Sequence, residues 1–232
     1  MNPHRFKNIF LLIVLISFFG ILLFWLYMHS LNVAEQKEVV LSPATTSFEQ
    51  SAKKLKIIAL GASLTEGVGA SSPEKSFVGV LEHRLNITIQ NKGVGGETTS
   101  DVLKRLDTEV LIEHPDIVIV VLGGNDYLRR VPKEEAFHNL ESIITRIQEN
   151  GAHVILVTLS GGELGDRFKT DFALVAQKTG ALLVPDAFDA VFGNPEHMSK
   201  DGIHPNDKGY ALVAEKIAPQ LASLLSTLTT KK

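Results

Sequence analysis

Apolar and polar positions change period several times along this chain, and the changes divide it into three stretches. The first, Ile9 to Met28, reads IFLLIVLISFFGILLFWLYM, twenty residues without a charge. At a helical rise of about 1.5 Å per residue, such a run matches the roughly 30 Å hydrocarbon core of a bilayer. A single membrane-spanning helix over residues 9–28 is therefore expected. The alternatives fit less well. A secretory signal usually has only about 7–15 apolar residues before its small-x-small cleavage site, and MHSLNVAEQ offers only Asn32 before Ala34. A core helix would not be apolar on every face. Arg5 and Lys7 precede the run, whereas the first charges after it are Glu35, Lys37 and Glu38. The positive-inside bias then leaves residues 1–8 in the cytoplasm and places everything after the span outside it.

Residues 29–53 have no apolar period and read as a tether. From Lys54 the pattern alternates between short β-branched runs and helical spacing. Strands are expected at 55–60 (LKIIAL), 87–90 (ITIQ), 116–123 (DIVIVVLG), 153–159 (HVILVTL) and 181–186 (ALLVPD). Helices are expected near 77–85, 100–114, 133–150, 167–179 and 205–225, with Ser100 capping the second and Asp101 in its first turn. Runs such as IVIVV are apolar on both faces, as parallel strands covered by helices are. The fold expected for 54–232 is α/β: a three-layer α/β/α sandwich around a parallel sheet of about five strands.

In open sheets of this class, functional groups gather at the carboxyl ends of the strands. The loops beginning at Gly61, Asn91, Gly123, Ser160 and Pro185 should therefore share one rim, and four of the rim stretches carry chemistry. GASLTEG, residues 61–67, places Ser63 in the turn after the first strand. It lacks the G-x-S-x-G spacing of the nucleophile elbow, and it fits neither the P-loop nor the dinucleotide fingerprint. A glycine-rich, anion-binding turn is the alternative. DGIHPN, residues 201–206, sets Asp201 three residues before His204, a spacing that lets both side chains project to one side. Asp201 can then hold the imidazole Nδ1–H while Nε2 takes a proton from a serine. GGND, residues 123–126, sets the Asn125 amide directly after the third strand, and NKGVGGETTS, residues 91–100, offers the Gly96 backbone N–H. Each stretch alone reads equally well as an ordinary turn or cap. Together, at successive strand ends, they supply a nucleophile, a base with its orienting acid, and donors for an oxyanion.

In chain order the stretches resemble the four blocks of the SGNH, or GDSL-type, hydrolases. GASLTEG corresponds to the serine block, VGGETT to the glycine block, LGGND to the asparagine block and DGIHPN to the Asp/His block. The similarity spans about residues 55–225 and is strongest to the bacterial thioesterase, arylesterase and lysophospholipase branch. The resemblance implies a flavodoxin-like sandwich and assigns catalysis to Ser63, His204 and Asp201. It also implies an oxyanion hole made by the backbone N–H groups of Ser63 and Gly96 and by the Asn125 side chain, with Gly95 as the substitute if the alignment slips by one. It implies no cofactor. One departure stands out: the family usually has Asp before the nucleophile, and this chain has Ala62.

Composition narrows the partners. There are no cysteines, so disulfides, thiolate metal sites and a lipidated cysteine are excluded. Twenty-three Lys and Arg against twenty-six Asp and Glu give a net charge of −3 with no basic block, so a nucleic-acid partner is not expected. His197 has no third ligand at a recognisable spacing, and no metal is expected. Phe168, Phe188, Phe192 and Met198, on the loops after the fourth and fifth strands, are candidates for an acyl pocket, with plain core as the alternative. The expected partners are a small ester substrate and, through the apolar run, a membrane, and a monomer is expected. Lysophospholipid, fatty-acyl and aryl esters lead as substrates. Glycan O-acetyl esters, acyl transfer to an alcohol, and a non-catalytic binding module remain alternatives.

Overall fold

The computed structural model describes residues 55–162 and 166–230. The expected membrane span and tether lie outside the described residues, and among those described no helix is long and apolar enough to cross a membrane.

In chain order the elements are β1 (Ile57–Gly61), α1 (Ser63–Glu66), α2 (Phe77–Leu85), β2 (Ile89–Gly93), α3 (Thr99–Arg105), β3 (Ile117–Val121), α4 (Gly124–Leu128), α5 (Lys133–Glu149), β4 (His153–Val157), α6 (Lys169–Thr179), β5 (Leu182–Val184) and α7 (Asp207–Thr230). All five strands are parallel, in the order β2-β1-β3-β4-β5. That is the doubly wound, flavodoxin-type order. β1 and β3 are buried at every position, as their unbroken IIAL and IVIVV runs require. Helices α2 and α7 pack together, and α5 packs against both α3 and α6, giving the helical layers that cover the sheet.

Because the chain goes from β1 out to β2 and then back across to β3, the switch point of the sheet lies between β1 and β3. Side chains emerging after these two strands flank one crevice at the carboxyl edge. Ser63 follows β1 and Asn125 follows β3.

Several local expectations shift. β2 begins at Ile89 and continues through Asn91 to Gly93, so its loop starts three residues later than expected. The cap of α3 is Thr98, not Ser100: Thr98 Oγ1 accepts the Asp101 N–H at 3.3 Å, and Asp101 Oδ2 accepts the Thr98 N–H at 3.2 Å. This reciprocal box satisfies two orphan donors at once. The helix also stops at Arg105 and continues as a π turn over Leu106–Val110, which leaves both of these residues buried. The last helix starts two residues later than expected and runs on to Thr230 through Pro219. Spacing did not register the short helices α1 and α4, because four or five residues are too few to show a period.

Candidate active site

Ser63 opens α1. The turn that presents it is tight, since a Cβ on Gly61 would stand 2.1 Å from Thr65 Oγ1 and 2.6 Å from the Val121 carbonyl oxygen. Only glycine lets β1 and α1 approach so closely. As the first residue of a helix, Ser63 keeps a backbone N–H with no partner inside that helix. Ala62 is the N-cap of α1 and contributes no side-chain bond.

The Ser63 hydroxyl donates to His204 Nε2 at 2.9 Å, and His204 Nδ1–H donates to Asp201 Oδ2 at 2.6 Å. These two residues lie 141 and 138 positions from Ser63, and the chain returns them to the rim just before α7. The other Asp201 oxygen, Oδ1, accepts from the Ser199 hydroxyl at 2.7 Å, the Ile203 N–H at 2.9 Å and the His204 N–H at 3.0 Å. The His204 backbone N–H, then its ring, then Ser199 hold the Asp201 carboxyl well below the usual carboxylate range. A carboxylate so fixed keeps the imidazole in the tautomer that leaves Nε2 free to accept a proton.

Across the crevice stands a second group of residues. Gly123, in the left-handed region at φ +109°, turns the chain from β3 into α4. The Asn125 side chain then donates to the Glu97 carbonyl at 2.8 Å through Nδ2, which leaves its second amide hydrogen available. Gly96 sits at φ +82°, and its carbonyl accepts from Arg129 at 2.6 Å. A Cβ on Gly95 would meet Glu66 Oε2 at 2.8 Å, and the Ser63 Cβ would be 4.0 Å away, so Gly95 borders the nucleophile loop, whereas a Cβ on Gly96 would meet Arg129 at 3.5 Å.

Residues that the sequence reading passed over hold this side together. Arg105, 9% exposed, donates through Nε to both Glu97 oxygens at 3.0 and 2.8 Å and through Nη2 to the Lys92 carbonyl at 2.9 Å. Asp126, 2% exposed, accepts the Thr99 N–H at 3.0 Å and the Thr99 hydroxyl at 2.7 Å. The one available signal was adjacency: Glu97 and Asp126 sit inside GGETT and LGGND beside the residues already singled out. Nothing in the spacing pointed to Arg105.

A cleft of about 330 Å³ opens at Ser63 and His204. Leu64, Leu128, Leu159, Phe192, Met198 and Ile203 give it apolar walls. Of the four acyl-pocket candidates, Phe192 and Met198 line this cleft. Phe188 does not: it is fully buried, with its ring stacked 4.8 Å from that of Phe192, because the loop after β5 turns it into the core. Phe168 lines a separate apolar cavity of about 300 Å³ behind Gly123 and Gly124, against Phe137 and Tyr127. His197 is structural, with Nδ1 bonded to the Ala190 carbonyl at 2.7 Å.

The sequence matches the model of the GDSL-like lipase/acylhydrolase family over residues 59–212. The chain belongs to this family. It is 32% identical to an arylesterase of Vibrio mimicus over 73% of its own length and 90% of the relative's. It is 26% identical to thioesterase 1/protease 1/lysophospholipase L1 of Escherichia coli K12, over 73% of this chain and 85% of that protein. The crystal structure of a TesA superposes with a TM-score of 0.67 at 28% identity, covering 73% of this chain and 99% of the other. This GDSL-family chain is accordingly an ester-hydrolysing hydrolase, as the resemblance implied, built on the five-stranded parallel sheet expected for it.

Proposed function

We propose that the enzyme cleaves carboxylic esters and thioesters of fatty-acyl, lysophospholipid or aryl type through an acyl-enzyme on Ser63. The observation that carries this reading is the continuous relay Ser63–His204–Asp201 opening into an apolar cleft. His204 Nε2 takes the hydroxyl proton as Ser63 Oγ forms a bond to the substrate carbonyl carbon. The carbonyl oxygen becomes an oxyanion, which the N–H groups of Ser63 and Gly96 and the free Asn125 amide hydrogen stabilise. Collapse expels the alcohol or thiol, which leaves with the proton from His204. Water then enters, gives a proton to His204 and repeats the sequence, releasing the acid and restoring Ser63. Asp201 stays ionised and steadies the imidazolium. The apolar walls formed by Phe192, Met198 and Leu128 favour a hydrocarbon acyl group over a sugar.

The test uses the full chain in detergent with a serine-reactive fluorophosphonate and a series of nitrophenyl and lysophospholipid esters. Wild type should label and turn over, with longer acyl chains preferred to acetyl. Ser63→Ala and His204→Ala should do neither above background. Turnover undiminished in Ser63→Ala would sink the mechanism, and a preference for acetylated glycans would move the substrate class. Anchoring by residues 9–28 with the domain outside the cytoplasm belongs to the same proposal, supported by Arg5 and Lys7 ahead of the apolar run. Protease added to spheroplasts should cut the domain. Protection until lysis would refute that topology.

A further inference from the structure

Large apolar side chains exposed to solvent are unevenly placed on the domain. Among the described residues, six are more than two-fifths exposed: Val94, Ile112, Leu128, Leu174, Leu182 and Ile203. Two of them line the cleft mouth: Leu128, 63% exposed, closes α4, and Ile203, 55% exposed, stands beside His204. A third, Val94, follows β2 at the same carboxyl edge, where its N–H bonds the Gly61 carbonyl at 3.1 Å. The other three lie elsewhere: Ile112 before β3 and Leu182 at the start of β5, both at the amino edge of the sheet, and Leu174 on α6.

The apolar residues at the mouth are flanked by cations. Arg129, with 58% of its side chain exposed, follows Leu128 directly, lies 3.8 Å from Asp101 Oδ2 and donates to the Gly96 carbonyl, and Arg130 comes next. Arg167 lies over the Tyr127 ring at 5.6 Å. Carboxylates stand among them: Glu66, Asp101, Asp201 and Asp166, the last next to Arg167 and bonded to Lys169 at 2.6 Å. Asp101 is bonded to Lys104 at 2.8 Å, and Asp201 is occupied by His204. Apolar tips that need burial, ringed by guanidinium groups that favour phosphate, match the boundary of a phospholipid bilayer, where acyl chains lie under a layer of phosphates.

We propose that this mouth is a lipid-docking surface: Leu128, Ile203 and Val94 dip into the acyl boundary of an anionic phospholipid bilayer while Arg129, Arg130 and Arg167 hold headgroup phosphates. Docking would place the cleft over its substrate, so that an ester passes from bilayer to Ser63 without crossing water. This deepens the lipid-ester reading above and rests on it for its purpose. The twenty-five residues of the expected tether span up to roughly 80–90 Å when extended, so entry of the chain at the amino edge does not keep the mouth from the bilayer.

The chain has no cysteine, so single-site labelling is clean. Full-length Leu128→Cys, Ile203→Cys and Ile112→Cys, each carrying a polarity-sensitive fluorophore, are reconstituted into phosphatidylcholine vesicles with and without phosphatidylglycerol. The labels at 128 and 203 should be quenched by spin-labelled lipid at least about twofold more than the label at 112, more so with phosphatidylglycerol and less at high salt. Equal quenching at all three sites would overturn docking, since tethering alone treats every face alike. Shielding of 128 and 203 from both lipid and aqueous quenchers would overturn it in favour of a protein partner. The same labels in a Ser63→Ala background keep their response if docking holds, whatever becomes of the catalytic reading. As a functional arm, the ratio of vesicle-borne to dissolved ester turnover should fall about tenfold in Leu128→Ser or Ile203→Ser and stay unchanged in Ile112→Ser. An unchanged ratio in both mouth variants would also overturn it.

Discussion

The two sides of the cleft are built differently. On the base side, the bonds that fix Asp201 and His204 come from within the loop that holds them: Ser199, Ile203 and His204 all bind one Asp201 oxygen, and Ser199 N–H returns to the His204 carbonyl at 2.7 Å. That loop is open to solvent, with 41% of the Asp201 side chain exposed. On the donor side, Asn125, Asp126 and Arg105 reach groups 28, 27 and 13 residues away, and the charged members are buried. A local turn can orient a proton relay because the relay has to point in only one direction. The donors proposed for an oxyanion follow different strands, so only tertiary packing can bring them to one point.

The comparison can be broken by substitution. Asp201→Asn should lower kcat by about 10⁴-fold through the wrong imidazole tautomer, with only a small fall in thermal midpoint, as read by ester assay beside a melting curve. A large loss of stability there would mean that the base side is not locally built. Asn125→Ala removes one oxyanion donor and should cost about 10²–10³ in kcat with KM little changed. If KM alone rises, Asn125 binds substrate and does not stabilise the oxyanion.

Arg105→Ala should act in the opposite way to Asp201→Asn. Stripping the buried partner of Glu97 should destabilise the domain by about 3 kcal/mol, measured by urea denaturation, with kcat reduced because the Asn125 anchor loosens. Retained stability would show that the donor side does not depend on this network. Ala62→Asp restores an N-cap to α1 and should stabilise by about 1 kcal/mol, visible as a rise of a few degrees in thermal midpoint. No rise would mean that the α1 amides are already satisfied. The smallest effect concerns acid. The Asp201 carboxyl titrates below its unfolded value of about 3.9, so its contribution is complete above that pH and lost as pH falls through the folded value. Asp201→Asn should therefore flatten the pH dependence of stability below about pH 4, its small deficit being full near neutrality and shrinking as wild type loses the same contribution in acid, and a deficit that grows as pH falls would contradict the assignment.

Much of this was legible in the sequence. The strands could be read because parallel strands buried on both faces must be unbroken apolar runs, and Ile117–Val121 is one. Helix α5 matched its expected start at Lys133 because seventeen residues carry several periods. The relay could be read because Asp201 and His204 are three residues apart and solve their geometry locally. Phe188 took the core alternative and Phe168 a different cavity, because an aromatic residue in a loop carries no mark of which surroundings it will face. The Thr98 cap was missed because Thr99 is drawn away to Asp126, a long-range bond that shifts the local start of the helix.

By itself the sequence determined a parallel sheet of about five strands between helices, the candidate side chains for the reaction and the edge of the sheet at which they gather. These follow from period, burial and short-range spacing, which are properties of neighbouring residues. The tertiary structure alone decided that Ser63 lies 2.9 Å from His204, that Arg105 and Asp126 brace the oxyanion side, and that Leu128 and Ile203 face each other across the mouth. Each of those is a meeting of residues far apart in the chain, and only the packing of helices onto the sheet fixes such distances.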